Sequence, residues 1–460
     1  MKTLFIFRQD LRILDNTGLR NALQDSREVI PVFILDKNIL KHFPAKDNRL
    51  GFLVEALQSL DQQLRDLGSR LYVYHGVAET IIPKLLKEHS CDAVYRNRSY
   101  GKWALTRDSA VRRWCRTQDI HCEEFSDFFL VEPEATKPYK VYTPFYNTWI
   151  KVVKEKYSNY ELLTIKKIIT PRFDHNNQKA YDLLDSGVNK YWPIDLGHER
   201  LQEFSFKSYN ETRNTPSIDG SSKLSPYIRF GLLSVREVYK AMRAKARNAQ
   251  WEEISSLETF VKELARREFW NHIAYHFPEA REIEFQEKRR YIKWEKNDER
   301  FTARAEGHTG YPLVDAWMRQ LRKENRMHNR VRMVVASFLC KDLLIDWRLG
   351  EHEFAKYLLD YDSNVNMWNW QRSASVGADP KPLRIFNPLL QSKRFDPECE
   401  YIKKYIPELS NFSPKEIHDP LNNNLGYASP IIDHYERSKI AKWRYNDSKL
   451  LSEKWTTNNK

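Results

Sequence analysis

No run of eighteen apolar residues occurs in this 460-residue sequence, so no membrane-crossing helix is predicted. Cysteine is scarce. The five residues (Cys91, Cys115, Cys122, Cys340 and Cys399) are odd in number and form no CxxC pair. That disfavours a zinc site or a disulfide framework and points to a reducing, cytoplasmic setting. The glycine-rich GxGxxG signature is also missing, so a dinucleotide fingerprint is not predicted. The opening MKTLFIFRQDLR meets charge within its first eight residues. It reads as a first strand and not as a secretory signal. No internal repeat is visible.

Acidic residues are in deficit. Lys plus Arg number 75 against 62 Asp plus Glu, giving a formal charge of +13. A polyanion such as nucleic acid is a natural partner for that balance. A solvated basic surface would give the same number, so charge alone does not decide. Aromatics are abundant, with 13 Trp, 24 Tyr and 23 Phe. They suit either a large core or stacking on bases or an aromatic cofactor.

Two domains are expected from the length. Residues 1–130 alternate short apolar runs (Thr3–Phe7, Val29–Leu35, Arg70–Tyr74, Ala93–Tyr95) with amphipathic stretches such as Leu50–Leu67 and Ala78–Glu88. This is βαβ rhythm and predicts a Rossmann-like α/β domain with a parallel sheet. Residues 131–200 lose that rhythm and gain Pro, Lys and Tyr, which reads as a connector. From 201 to 460 the pattern is helical. Leu257–Phe277, Tyr311–Lys323, Val331–Leu344 and Glu351–Leu359 carry apolar residues at i, i+3, i+4 spacing, predicting an all-α domain.

Three segments carry chemistry. In SSKLSP (221–226), Ser225 suits an N-cap and Pro226 the first turn, so hydroxyls, an ammonium and free backbone N–H groups converge where phosphate could sit. An ordinary capped helix explains the same residues. In MHNRVRM (327–333) and DYDSNVNMWNW (360–370), Arg332 has a carboxylate candidate in Asp360, because a buried arginine needs one. His328 reads equally well as a structural histidine. The Asp/Asn-rich stretch lacks EF-hand spacing, so no metal site is predicted.

FIFRQDLRILDN, EGHTGYPLVDAWMRQL, MHNRVRMVVASFLCKDLLIDW and NWQRSASVGADPKPLRIFNP resemble, in order and over nearly the whole chain, the motifs of the DNA photolyase/cryptochrome family, closest to class I cyclobutane pyrimidine dimer photolyases. The resemblance implies an antenna-type α/β domain and a helical domain that binds FAD and DNA. It implies FAD contacts from Tyr209, Ser221, Ser222, Lys223, Leu224, Ser225, Phe260, Arg267, Arg332, Asp360, Tyr361 and Asp362. Asn366 matches the residue facing flavin N5, and Glu263 lies on the helix lining the same cavity. Trp370, Trp347 and Trp294 match a chain that passes electrons from the surface to the flavin. Without the resemblance each would be read as core. Arg213, Asn329, Arg330, Met333 and Arg384 match positions that meet damaged DNA. The implied activity is light-dependent repair of pyrimidine dimers by a monomer.

Several positions depart from the resemblance. Arg266 and Arg372 stand where the dimer pocket would have tryptophans, so both should line the mouth of the site with Arg330 and Arg384. The alternative they raise is a cryptochrome-like photoreceptor that has lost repair. Trp368 stands where a small residue is usual and offers a replacement stacking surface. The Asn-Glu pair expected near Trp103 for a folate antenna is missing, which leaves any second chromophore unidentified.

Overall fold

The computed structural model describes residues 1–247, 249–380 and 383–458. It divides into two compact units. One comprises Met1–Thr136, Thr148–Phe204 and Ser222–Gln250, the other Lys137–Asn147, Ser205–Ser221 and Trp251–Lys460.

The first unit is built on five parallel strands, β1 (Lys2–Phe7), β2 (Glu28–Asp36), β3 (Tyr72–Gly76), β4 (Ala93–Asn97) and β5 (His121–Phe125), in the order β3-β2-β1-β4-β5. Central strands buried on both faces need continuous apolar runs, and β1 supplies one over residues 4–7 and β2 one over residues 29–35. One face packs Leu4, Ile6, Ile30, Val32 and Val94 against Ile82, Leu85, Leu86, Val111 and Cys115. The predicted strands all form. The fifth was not foreseen. As an edge strand its five residues are only partly buried or exposed, and Glu123 and Glu124 replace an apolar run. Within the stretch read as connector, Tyr142–Lys156 forms a 15-residue helix.

The second unit is helical. Its elements used below are α1 (Trp251–His276), α2 (Asp298–Glu306), α3 (Pro312–Glu324), α4 (Asn329–Ser337), α5 (Trp347–Tyr357), α6 (Ser363–Ser373) and α7 (His434–Asn458). The helix predicted over Val331–Leu344 is broken. After α4, residues Phe338–Asp342 form a π-type turn, closed by Leu343 N–H donating to the Phe338 carbonyl at 2.9 Å. VASFLC is apolar on every side, so periodicity could not register the extra residue. Among the described residues no helix is long and apolar enough to cross a membrane.

Candidate functional site

Helix α4 starts on His328, whose ring accepts the Arg330 backbone N–H at 3.2 Å. Burial pushes this imidazole down to about 3, reinforced by Arg326, Arg332, Arg330 and Arg213. His328 is therefore a neutral cap. One turn on, Arg332 places Nη2 3.0 and 2.9 Å from the two carboxylate oxygens of Asp360, and its Nε donates to the Met327 carbonyl at 2.8 Å. The pairing expected from the sequence forms.

Asp362 caps α6, its carboxylate accepting the backbone N–H groups of Asn364 and Val365 at 3.0 and 3.1 Å. Asn366, on the first turn of α6, is buried. Its Nδ2 donates to Glu351 of α5, at 3.0 Å to Oε1 and 3.3 Å to the backbone carbonyl. Tyr361 donates its hydroxyl to the same Glu351 oxygen at 3.1 Å. Burial raises the pKa of Glu351, against the pull of Asn366, His352 and Tyr361. Two acceptors on one side orient the Asn366 amide. A flip would set its oxygen against the Glu351 oxygens. The amide oxygen is thus left as an acceptor that these partners do not use.

The three tryptophans lie where α5, α6 and the segment before α2 run. Trp370 and Trp347 are 2% and 1% exposed, whereas Trp294 is partly exposed. Trp370 packs against α5 at Gly350. A Cβ there would lie 2.2 Å from the Trp370 ring, so only glycine admits that approach. Trp347, at the start of α5, donates its indole N–H to Glu284 at 3.2 Å. Trp294 meets Tyr445 of α7 edge-on, with centroids 6.4 Å apart.

A second group surrounds Glu263 on α1. Arg213 donates to it at 2.7 Å and lies 5.2 Å from the Tyr209 ring centroid. Tyr209 in turn meets Phe260 edge-on at 5.7 Å. Arg330 is bound to Asn214 at 2.7 Å, and burial together with Arg213, Arg384 and Arg394 lowers its pKa. Arg372 is lowered by burial and then by Arg266, and its nearest carboxylate oxygen, on Asp379, is 3.9 Å away. Arg266 lies 4.8 Å from the centroid of Tyr142. Asn329 and Arg384 are exposed, and Met333 is partly buried beside Arg330.

Two family models match, the DNA photolyase model over residues 3–161 and the FAD binding domain of DNA photolyase over residues 260–447. A Synechococcus deoxyribodipyrimidine photo-lyase is 37% identical, covering 97% of this chain and 96% of that one. The chain belongs to the DNA photolyase/cryptochrome family. Among solved structures, an archaeal photolyase from Sulfolobus tokodaii with two FAD molecules is 34% identical, with a TM-score of 0.87 over 97% of this chain and 100% of that one. A bacterial class III photolyase from Agrobacterium tumefaciens is 32% identical, with a TM-score of 0.87 over 98% of both chains.

The helical unit thus holds most of the residues that the family resemblance singled out. Ser221 accepts from Arg326 at 2.9 Å, and Arg267 lies on α1 near Phe260. Ser222, Lys223, Leu224 and Ser225 belong to the other unit. There the short helix Ser225–Phe230 has Leu224 and not Ser225 as its N-cap, without a side-chain cap, and Lys223 takes a left-handed φ of 55°. The expected Ser225 cap is therefore displaced by one residue. Trp368 does not supply a stacking surface. It is fully buried, edge-on to Phe285 with centroids 5.6 Å apart. Sequence reasoning missed Glu351, Gly350, Tyr142 and Glu284. Each acts through a partner on another element, a relation that no local pattern records.

Proposed function

We propose that this chain is a light-driven deoxyribodipyrimidine photo-lyase, using reduced FAD to reverse cyclobutane pyrimidine dimers in DNA. The observation that carries the reading is the Asn366 amide, oriented by Glu351 and one turn from the cap Asp362. Its spare acceptor oxygen fits a flavin that carries a proton on N5, the reduced form that repair requires. The FAD-binding-domain match over 260–447 and the photolyase relatives support the same conclusion.

In this reading Arg332, neutralised by Asp360, and Asp362 hold the isoalloxazine side, while Tyr209, Ser221, Phe260, Arg267 and Tyr361 are the helical unit's other FAD contacts. Ser222 to Ser225 are assigned to the phosphates and ribose by resemblance. Bound FAD supplies light absorption and electron transfer. The protein's own residues bind, orient and exclude water. Ring splitting needs no general acid or base. Trp294, Trp347 and Trp370 keep the cofactor supplied with electrons. Arg213, Asn329, Arg330 and Arg384 take phosphate, and a flipped dimer meets Glu263, Met333, Arg266 and Arg372. Guanidinium groups stack on bases as well as grip phosphate, so the two replacements keep a recognition surface.

For the α/β unit we assign a second, non-folate chromophore. The β1/β4 junction is the topological switch point of the sheet, where ligands of such sheets sit. The Sulfolobus tokodaii relative carries a second FAD. Mass analysis of the chromophores released on denaturation tests this.

The repair test is illumination of the reduced, FAD-loaded protein with an oligonucleotide carrying one cyclobutane thymine dimer. Restored thymines are expected in excess over enzyme. A flavin-loaded protein that restores none would overturn the proposal and leave the photoreceptor alternative.

A further inference from the structure

Arg304 on α2 is 0% exposed, and none of its three guanidinium nitrogens has a hydrogen-bond partner. The guanidinium lies 5.5 Å from the ring centroids of both Phe354 and Trp370. Burial lowers its pKa to about 10, which leaves it charged at neutral pH. The carboxylate that acts on it, Glu353, is already engaged by Lys356 at 3.2 Å. A buried cation without its own carboxylate is a poor way to stabilise a core, and an apolar side chain of similar volume would do better. Stability therefore does not account for it.

At Trp347 the electrostatics are reversed. Its indole N–H donates to the carboxylate of Glu284, which is 6% exposed. Arg348 lies 4.7 Å from the same ring, but it is paired with both Glu284 and Asp346, so the cluster as a whole carries a negative charge. Trp370, by contrast, has no partner for its indole N–H. Positive charge stands against one tryptophan and negative charge against the next.

We propose that Arg304 and Glu284 are positioning residues that give the tryptophan chain its direction. Arg304 disfavours an electron vacancy on Trp370, and Glu284 favours one on Trp347. This rests on the electron-relay reading of Trp370, Trp347 and Trp294 given above. One electron leaves the Trp370 indole for the light-excited flavin. One electron from Trp347 then refills Trp370, one from Trp294 refills Trp347, and a soluble thiol reductant refills Trp294. No bond breaks at Trp370, and its proton stays in place because no acceptor faces it. At this first step the vacancy runs outward, because both charges oppose its return from Trp347 to Trp370.

The test uses the full-length, FAD-loaded chain with the variants Arg304→Met, Arg304→Lys, Glu284→Gln and Trp370→Phe. Flash absorption of the indole radical cations reads how the vacancy divides between Trp370 and Trp347. Arg304→Met and Glu284→Gln should each shift it at least tenfold towards Trp370, equivalent to about 59 mV for one electron. Arg304→Lys should restore the native distribution. In 15N-labelled protein, with or without FAD, Glu284→Gln should move the Trp347 indole N–H resonance, and Arg304→Met should leave it in place. Urea unfolding reports whether Arg304→Met is folded, and Glu284→Gln carries the test alone if it is not. An unchanged distribution in folded variants overturns the inference. Unimpaired flavin photoreduction in Trp370→Phe instead overturns the relay reading, and the inference with it.

Discussion

Two groups of arginines, one in each unit, are used in opposite ways. In the α/β unit, Arg12 and Arg236 both bind Asp127, at 2.6 and 2.7 Å, and Arg236 also binds Asp15 at 2.8 Å. Arg8 is held by both oxygens of Asp108 at 2.7 Å. In the helical unit, Arg330 faces Arg213, Arg384 and Arg394, Arg372 faces Arg266, and Arg304 faces aromatic rings. The first set is committed to holding its own fold. The second is neutralised only in part, Arg213 by Glu263 at 2.7 Å and Arg372 by Asp379 at 3.9 Å, and the charge left over suits a surface for phosphate and a device for moving electrons.

The sharpest way to break this contrast is to remove a carboxylate from the first set. Asp127→Ala leaves two buried guanidinium groups without their shared partner and should cost about 3–5 kcal/mol. Urea unfolding would show it as an earlier transition of the α/β unit, whereas Arg330→Gln should leave the unfolding midpoints nearly unchanged. Equal losses from both would erase the distinction.

Next in size is the dimer pocket. The paired change Arg266→Trp with Arg372→Trp should raise preference for dimer-containing over undamaged DNA by about 1–3 kcal/mol, since planar stacking replaces charge. Competition between the two oligonucleotides measures it. An unchanged preference would mean that neither side chain meets the lesion.

Acid should weaken the α/β unit at one buried ion pair. Burial raises the Asp108 carboxyl, but Arg8, Arg107 and Arg96 outweigh it and hold it at about 2, below the ordinary 3.8. A depressed carboxyl contributes stability above its unfolded pKa and loses it as pH falls towards the folded value. About 2 kcal/mol should therefore disappear between roughly pH 4 and pH 2, and Asp108→Asn should abolish that part of the acid transition. The smallest effect concerns salt. Arg330→Gln should reduce the slope of log affinity against log salt by about 1, equally for damaged and undamaged DNA.

Much of this architecture is legible in the sequence because burial on both faces leaves continuous apolar runs such as LFIF in β1. Arg332 and Asp360 were legible as complementary charges on neighbouring motifs. Arg304 was not. Its helix reads DERFTARAE, charged at nearly every turn, and only packing against α5 and α6 puts this one guanidinium inside. Tyr142 beneath Arg266 was hidden for a related reason. It comes from a segment 124 positions earlier, within a stretch that composition marked as connector. Contacts between distant elements are set by how helices pack, which periodicity does not encode.

The chain passes between its two units five times, and this constrains how it can be made. Arg236, which binds Asp15 and Asp127, is synthesised more than a hundred residues after either carboxylate. A nascent chain stopped at residue 200 would hold the entire sheet and still lack one of the two cations that its buried acids bind. By then it would also have produced a piece of the other unit, Lys137–Asn147, with almost nothing to pack against. No single cut in the gene can therefore yield two whole halves, and the α/β unit is expected to become protease-resistant on the ribosome only once residue 250 has left the exit tunnel.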